Sequence, residues 1–378
     1  MENNEKKAER RKIKINKKAV LVFVTGVIVG LAILFFVIVN FKPYKVSEPI
    51  TIPPATLSEH DFAIVKNELL LLNNKGVQAY DRFGEYRWDY AIKTASPLIV
   101  SNGSRFSVAD TENAFVAGLS KKKQHYAIEF PTPVTGIVTN KNGFTGIISS
   151  EHGYRSILSV YDDYGNEHYK WYSGEGYITA AAISDNDRNL AVATIFGSDE
   201  NVACTTLHFF DMKKPEPISE VMLSGEVAYK MIYKGQKIFV LTDKGVYAFN
   251  KKGKLKTSYP FYGRTLHAFA FSSSDEMAVA LSRTDEAGSM LSGSEVFFLS
   301  ESLKVKGSAP VGFEVSVMDS KDGLAVVTGV RNLWLITSGG KIKAKTSLMS
   351  DCEQLLLFDN QKGFATLSGS SACIYSIS

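Results

Sequence analysis

From about residue 58 to Ser378 the chain keeps one texture, in which apolar runs of five to seven residues alternate with turn clusters of Gly, Asn, Asp, Ser and Lys. No stretch there holds a helical period over three turns, so the pattern predicts strands joined by turns and an all-β domain. One frame recurs: strand, turn, strand, turn, a strand mixing apolar and aromatic residues, a turn bearing Gly or Lys, then a polar strand. The clearest copy begins at Val227 and reads VAYKMIY, KIFVLTD, GVYAFNK, LKTSYPF. Another begins near Ser58 with DFAIVKN, ELLLLNN, GVQAYDR, YRWDY. Unit starts fall at 58, 95, 134, 177, 227, 266, 313 and 352, and spacings of 37 to 50 residues suit the four-stranded blades of a β-propeller.

The inner runs separate a propeller from a sandwich. A sandwich strand buries one face and alternates apolar with polar, whereas Leu69–Leu72, Ile238–Leu241 and Leu355–Phe358 are apolar on both faces. A blade packed between two others buries both. The eighth unit ends at Ser378 after three strands. The segment Glu48–Leu57 carries β-forming Ile50, Thr51 and Ile52, and its prolines are tolerated at a sheet edge, so it is expected to supply the missing outer strand. Eight blades follow; seven would result if units 1 and 8 were parts of one blade.

The chain before residue 58 is different. Residues 19–39 carry no charge, and Thr25 is their one polar side chain. At 1.5 Å per residue such a helix spans about 31 Å, close to the hydrocarbon thickness of a bilayer. Residues 1–18 hold eight Lys or Arg against three Glu, so the positive-inside rule places the N-terminus in the cytoplasm and residue 41 onward outside. The expected organisation is a basic cytoplasmic tail (1–18), a transmembrane helix (19–40), a Pro-containing linker or closing strand (41–57) and an extracytoplasmic propeller (58–378), tethered to the cell membrane by a single pass. Gly26 and Gly30 form a G-x-x-x-G on one helix face, a candidate contact for helix dimerisation. The formal charge of +4 is concentrated in the tail, so the outer domain is near neutral and offers no electrostatic footprint for nucleic acid.

The hairpins GVQAYDRFGEYRW (76–88) and ILSVYDDYGNEHYKW (157–171) resemble quinoprotein-type propeller repeats, whose blades carry a strand, a turn with Gly, and a Trp soon after. Gly84 to Trp88 keeps the family spacing and Gly165 to Trp171 has two extra residues, while the other copies lack the Trp; unit 5 reads KKGKLKTSYP. The resemblance implies the fold and carries no quinone cofactor over to this chain. The whole arrangement is similar to uncharacterised membrane-anchored propeller proteins of Gram-positive bacteria.

Candidate chemistry is sparse. Asp185-Asn186-Asp187-Arg188-Asn189 has oxygens at calcium-loop positions 1, 3 and 5, but Leu190 and Phe196 stand where Gly and Glu belong, so it reads as a turn. The six histidines share no metal spacing, and no nucleophile elbow or phosphate loop occurs. No catalytic, metal or cofactor residue is therefore assigned. Cys204, Cys352 and Cys373 are too few for a disulfide framework; they read as small buried residues, with a Cys352–Cys373 pair the alternative in an oxidising compartment. Tyr154, Tyr161, Tyr164, Tyr169, Trp171, Tyr172 and Tyr177 form the densest aromatic stretch and the candidate partner surface. The function expected is a non-catalytic, membrane-tethered binding or scaffolding module of the cell envelope, its partner a protein, a peptide or a wall component. The alternative is an extracytoplasmic hydrolase or lyase, acting on glycans, with its site in the central channel.

Overall fold

The computed structural model describes residues 24–32, 34, 43–52, 60–197, 203–271, 277–285, 288–369 and 371–378. The chain divides into two compact units, Met1–Pro43 and Tyr44–Ser378. In the first, residues 24–32 are helical, and a Cβ added at Gly26 or Gly30 would meet open space. The basic tail and most of the expected span 19–40 lie outside the described residues. Among the described residues no helix is long and apolar enough to cross a membrane.

The second unit contains, among the described residues, eight four-stranded antiparallel sheets. Seven are meanders of consecutive strands covering 60–91, 97–129, 136–173, 177–224, 228–260, 266–311 and 317–347. These are blades 1 to 7, and the innermost strand of each begins within about four residues of the start read from the repeat. The eighth sheet, 354–376, has three strands of its own. Its fourth is the closing strand Ile50–Ile52, antiparallel to Ser371–Ser376 with Ile50 opposite Ile374, Thr51 opposite Cys373 and Ile52 opposite Ala372. Blade number is thus eight, and the two ends of the chain close the ring as expected.

Each second strand divides its side chains between two neighbours. Leu70 and Leu72 pack with Phe106, Val108 and Ile99 of blade 2, while Leu69 and Leu71 pack with Phe358, Ala365 and Ile374 of blade 8. Ile238 and Val240 likewise face Ala191, Ala193 and Leu207 of blade 4, and Phe239 and Leu241 face Met277 and Val279 of blade 6. A strand with period two and no polar face is the sequence trace of this sharing. Among the described residues, none of the eight apolar clusters draws on a residue before Tyr44.

The turn between third and fourth strands is the most regular part of the repeat. Asp81 accepts hydrogen bonds from the N–H groups of Phe83 (2.8 Å) and Glu85 (3.0 Å), and Asp162 does the same for Tyr164 and Asn166 (both 2.9 Å). Asn250 repeats the arrangement with Lys252 and Lys254. Three residues on, Gly84, Gly165, Gly253 and, in blade 7, Gly340 have φ of +76°, +84°, +73° and +80°. The ladder slips just before each turn, as between Ala79 and Tyr80. This is a tight turn closed by a glycine bulge, which re-aims the outer strand and increases twist. Each glycine also lies against the outer strand of the preceding blade. An added Cβ would sit 2.5 Å from Tyr126 Cβ at Gly165, 2.6 Å from Ser219 Oγ at Gly253 and 2.7 Å from Ile50 Cγ2 at Gly84. Ile50 therefore occupies in blade 8 the place that Tyr126 and Ser219 occupy in blades 2 and 4.

The crossover from blade 1 to blade 2 is held by a buried carboxylate. Asp110, 1% exposed, accepts N–H groups from Ala95 (2.7 Å), Ser96, Glu112 and Asn113 and the Asn113 amide (2.7 Å). Burial alone would raise its pKa, but these donors outweigh it and hold the carboxyl below the ordinary value. A depressed folded-state pKa means stability that is present above pH ~4 and lost as pH falls further, because the unfolded chain then binds the extra proton. Asp110→Asn, which turns an amide donor toward N–H groups, is expected to cost ~2 kcal/mol at pH 7. The gap from wild type should narrow below pH ~4 in urea titrations. Equal midpoints at pH 7 would show that the carboxylate contributes nothing.

Candidate functional site

In a four-stranded meander the turns after strands one and three lie at one end, and the turn after strand two and the crossover to the next blade lie at the other. We call these the lower and upper faces. The aromatic residues between Tyr154 and Tyr177 do not form one patch, because the two strands carrying them run from face to face.

Tyr154, Tyr172 and Tyr177 meet at the upper face. Tyr154 follows the second turn of blade 3, Tyr172 is near the end of its outer strand and Tyr177 starts the inner strand of blade 4. The rings of Tyr154 and Tyr172 are 4.6 Å apart. Arg155 donates a hydrogen bond to the Tyr177 hydroxyl (3.3 Å) with its guanidinium 5.7 Å from that ring, and the Lys170 ammonium lies 5.1 Å from the Tyr172 ring centroid. All three tyrosines are exposed. Beside them an open groove of about 860 Å³ runs between blades 3 and 4, bounded by Arg155, Glu175, Tyr177, Ile195, Phe196 and Ala203.

The other four nominated residues stand elsewhere. Tyr164, 77% exposed, is in the lower-face turn of blade 3, and Tyr161 ends the strand before it, edge-on to Phe130. Tyr169 is buried against Phe210 and donates to the Pro215 carbonyl (2.9 Å); desolvation pushes its hydroxyl up to about 12. Trp171 is half-buried, 4.8 Å from the His208 ring and 5.2 Å from Phe210. Trp88, the other tryptophan of the repeat-like hairpins, stacks on Phe106 of blade 2 and donates its indole N–H to Glu68 (2.9 Å). Both tryptophans thus pack one blade on the next.

Sequence reasoning missed the blade 4 wall of the groove, since Ile195, Phe196 and Ala203 are brought to Tyr177 only by pairing across the sheet. It also missed Tyr229, Tyr262, Met290, Val330 and Met349, exposed at the upper ends of blades 5 to 8. A signal was present for some of them: Tyr262, Val330 and Met349 are large apolar residues inside segments that otherwise read as turns.

Two histidines stand beside a hydroxyl. Thr194 Oγ1 is 3.0 Å from His208 Nε2, and His208 Nδ1 is 2.8 Å from Glu220 Oε1. The order of groups suits a nucleophile and base, but Thr194 is 3% exposed and the ring lies under Trp171, so no substrate carbonyl reaches the hydroxyl. Desolvation also lowers the His208 pKa. Ser120 Oγ is 2.7 Å from His125 Nε2, yet Asp163 pairs with Arg105, and that guanidinium bonds the imidazole and helps burial hold its pKa down. A base facing an arginine is a weak one.

Two carboxylates on inner strands are occupied as well. Asp61 accepts N–H groups from Phe62 and from Ile99 of blade 2, and Asp319 from Ser320 and from Leu357 of blade 8. They satisfy amides on the unpaired inner edge and pin adjacent blades together. Asp185–Arg188 is a turn, with Asp187 at φ +57° and its N–H on the Ser184 carbonyl. Among the described residues no group of three His, Cys, Asp or Glu is placed to hold a metal. All three cysteines are free: Cys352 donates to the Gln354 carbonyl (3.1 Å) with its thiol pushed up to about 11 by burial, and Cys373 lies 3.7 Å from Thr51 Oγ1.

The signature of the Family of unknown function (DUF5711) matches residues 38–372, which include the closing strand, blades 1 to 7 and all of blade 8 but most of its third strand. The chain belongs to the DUF5711 family. No curated protein matches it. Among solved structures, the fold is similar to the C-terminal WD40 domain of Sif2, with a TM-score of 0.64, 10% identity, and 89% of this chain and 98% of that one covered. It is also similar to BamB from Moraxella catarrhalis, with a TM-score of 0.53, 11% identity, and 88% and 97% covered. At these identities the likeness is one of fold, so any function for this DUF5711 chain rests on its own surfaces.

Proposed function

We propose that the protein is an extracytoplasmic binding module, held at the cell membrane by residues 19–40, whose upper face takes a polypeptide partner. The observation that carries this reading is the cluster of Tyr154, Tyr172, Tyr177 and Arg155 beside an open groove. Exposed tyrosine and arginine are the side chains that dominate binding energy where they are buried by a partner, because they exclude much water at low entropic cost. The cluster is held before any partner arrives by its own ring contacts and hydrogen bond, which reduces the cost of association. Upper-face turns and crossovers hold five Lys or Arg against eight Asp or Glu among the described residues, so a neutral or basic polypeptide suits them better than an acidic one. The membrane part of the reading rests on the uncharged run 19–39 and the basic residues before it.

The test is crosslinking capture from intact cells, comparing wild type with Tyr154→Ala/Tyr172→Ala/Tyr177→Ala and, as control on the other face, Tyr164→Ala. A partner recovered by wild type and control should fall at least ~30-fold with the triple variant, the effect of losing one strong binding residue. Equal recovery by all three proteins would remove the upper face from the proposal.

A further inference from the structure

We propose that the lower face of the propeller docks flat on the anionic headgroups of the membrane that tethers it, leaving the upper face turned away and free. This rests on the membrane-anchored reading above and adds an orientation to it.

The two faces differ in charge. Among the described residues, lower-face turns hold fourteen Lys or Arg against nine Asp or Glu, a surplus opposite in sign to that of the upper face. The lysines concentrate in the third turns of successive blades: Lys213 and Lys214 in blade 4, Lys251, Lys252 and Lys254 in blade 5, and Lys304 in blade 6. All six are exposed. These turns are neighbours in space, since Ser219 donates to the Lys252 carbonyl (2.8 Å) and Thr257 to the Ser302 carbonyl (3.3 Å). With six lysines against Glu216 and Glu301, also exposed, these three turns make a basic arc over blades 4 to 6.

The chain enters the propeller at the next blade along, on this same face. The Tyr44 N–H bonds the Lys343 carbonyl just past the third turn of blade 7, and the Lys343 ammonium lies 5.4 Å from the Tyr44 ring centroid. Lys45 exchanges backbone hydrogen bonds with Ser378, at the lower end of blade 8. Only residues 40–43 separate the uncharged run from Tyr44, a tether of at most about 17 Å when fully extended. The tether therefore ends on the face that carries the lysine arc. Phe83 and Tyr164, both exposed in lower-face turns, supply the aromatic side chains that settle at headgroup depth.

The experiment uses residues 44–378, which contain every apolar cluster found among the described residues, so that binding is scored without the anchor. Co-sedimentation with vesicles of phosphatidylcholine alone is expected to be weak. Vesicles with about 30 mol% phosphatidylglycerol should bind the domain and release it at about 0.5 M salt. Lys251→Glu/Lys252→Glu/Lys254→Glu should weaken that binding at least ~50-fold, each lysine near an anionic surface contributing several-fold. The upper-face triple tyrosine variant, folded to the same melting temperature, should bind vesicles as wild type does. Absence of binding at low salt, equal binding by the Lys→Glu variant, or equally tight binding of soluble inorganic polyphosphate would each overturn the docking proposal. The anchor is tested apart, by asking whether the full chain stays in the membrane fraction after a high-salt wash. A chain that stays there while the domain ignores vesicles would refute the orientation alone.

Discussion

A chain beginning at residue 60 should fail to fold cooperatively, while one beginning at residue 44 should melt as a single transition. The two differ by the closing strand and its approach. Ile52 is 2% exposed among Phe62, Leu69, Leu71 and Ile374, and burying such a side chain is worth ~2 kcal/mol. The approach adds backbone hydrogen bonds from Tyr44 to Lys343, Lys45 to Ser378 and Ser47 to Ser376, all 2.9 Å, besides the ladder to Ser371–Ser376. At ~1 kcal/mol net for each, the segment contributes more than ~5 kcal/mol, comparable to the whole stability of an ordinary domain. Its loss also bares Ile374 and the unpaired edge of blade 8, which invites aggregation. Ile52→Asp in the longer chain is the milder version, expected to cost ~4 kcal/mol by placing a carboxylate in the blade 1–8 cluster. Melting temperatures of the two chains within a degree or two would mean that the ring does not depend on the closing strand.

The second large effect is expected at a glycine. Gly340 has φ +80°, and a Cβ there would lie 2.2 Å from the Ser308 carbonyl oxygen, a backbone atom of the preceding blade that cannot turn aside. Gly153 has a similar φ of +91°, yet nothing lies within 4 Å of an added Cβ. Both Gly→Ala changes carry the left-handed strain of ~1 kcal/mol, but only Gly340→Ala must also push two blades apart. We expect Gly340→Ala to cost at least ~2 kcal/mol more than Gly153→Ala in urea unfolding. Equal costs would show that the third turn is loosely packed on its neighbour.

The propeller was legible because its demands fall on every repeat. Apolar runs without a polar face record strands shared by two blades, and Asp or Asn followed three residues later by Gly records the third turn. The missing strand was legible because three strands cannot complete a blade and Ile50–Ile52 stood ready before the first one. The binding surface was not, because density of tyrosines along a sequence does not respect the two ends of a strand. Tyr154 and Tyr164 are ten residues apart and lie on opposite faces, whereas Tyr177 and Phe196 are further apart and border one groove. Crossovers and strand pairing set that grouping, and both act over distances that a local pattern does not record.

The division of faces is where the functional account meets its sharpest test. A photoreactive residue placed at position 177 or at position 164, one variant at a time, can be irradiated in intact cells and the adducts resolved by mass. A discrete polypeptide adduct from position 177, with none from position 164, is the result the upper-face reading predicts. The same polypeptide crosslinked from position 164, or no adduct from position 177, would contradict it.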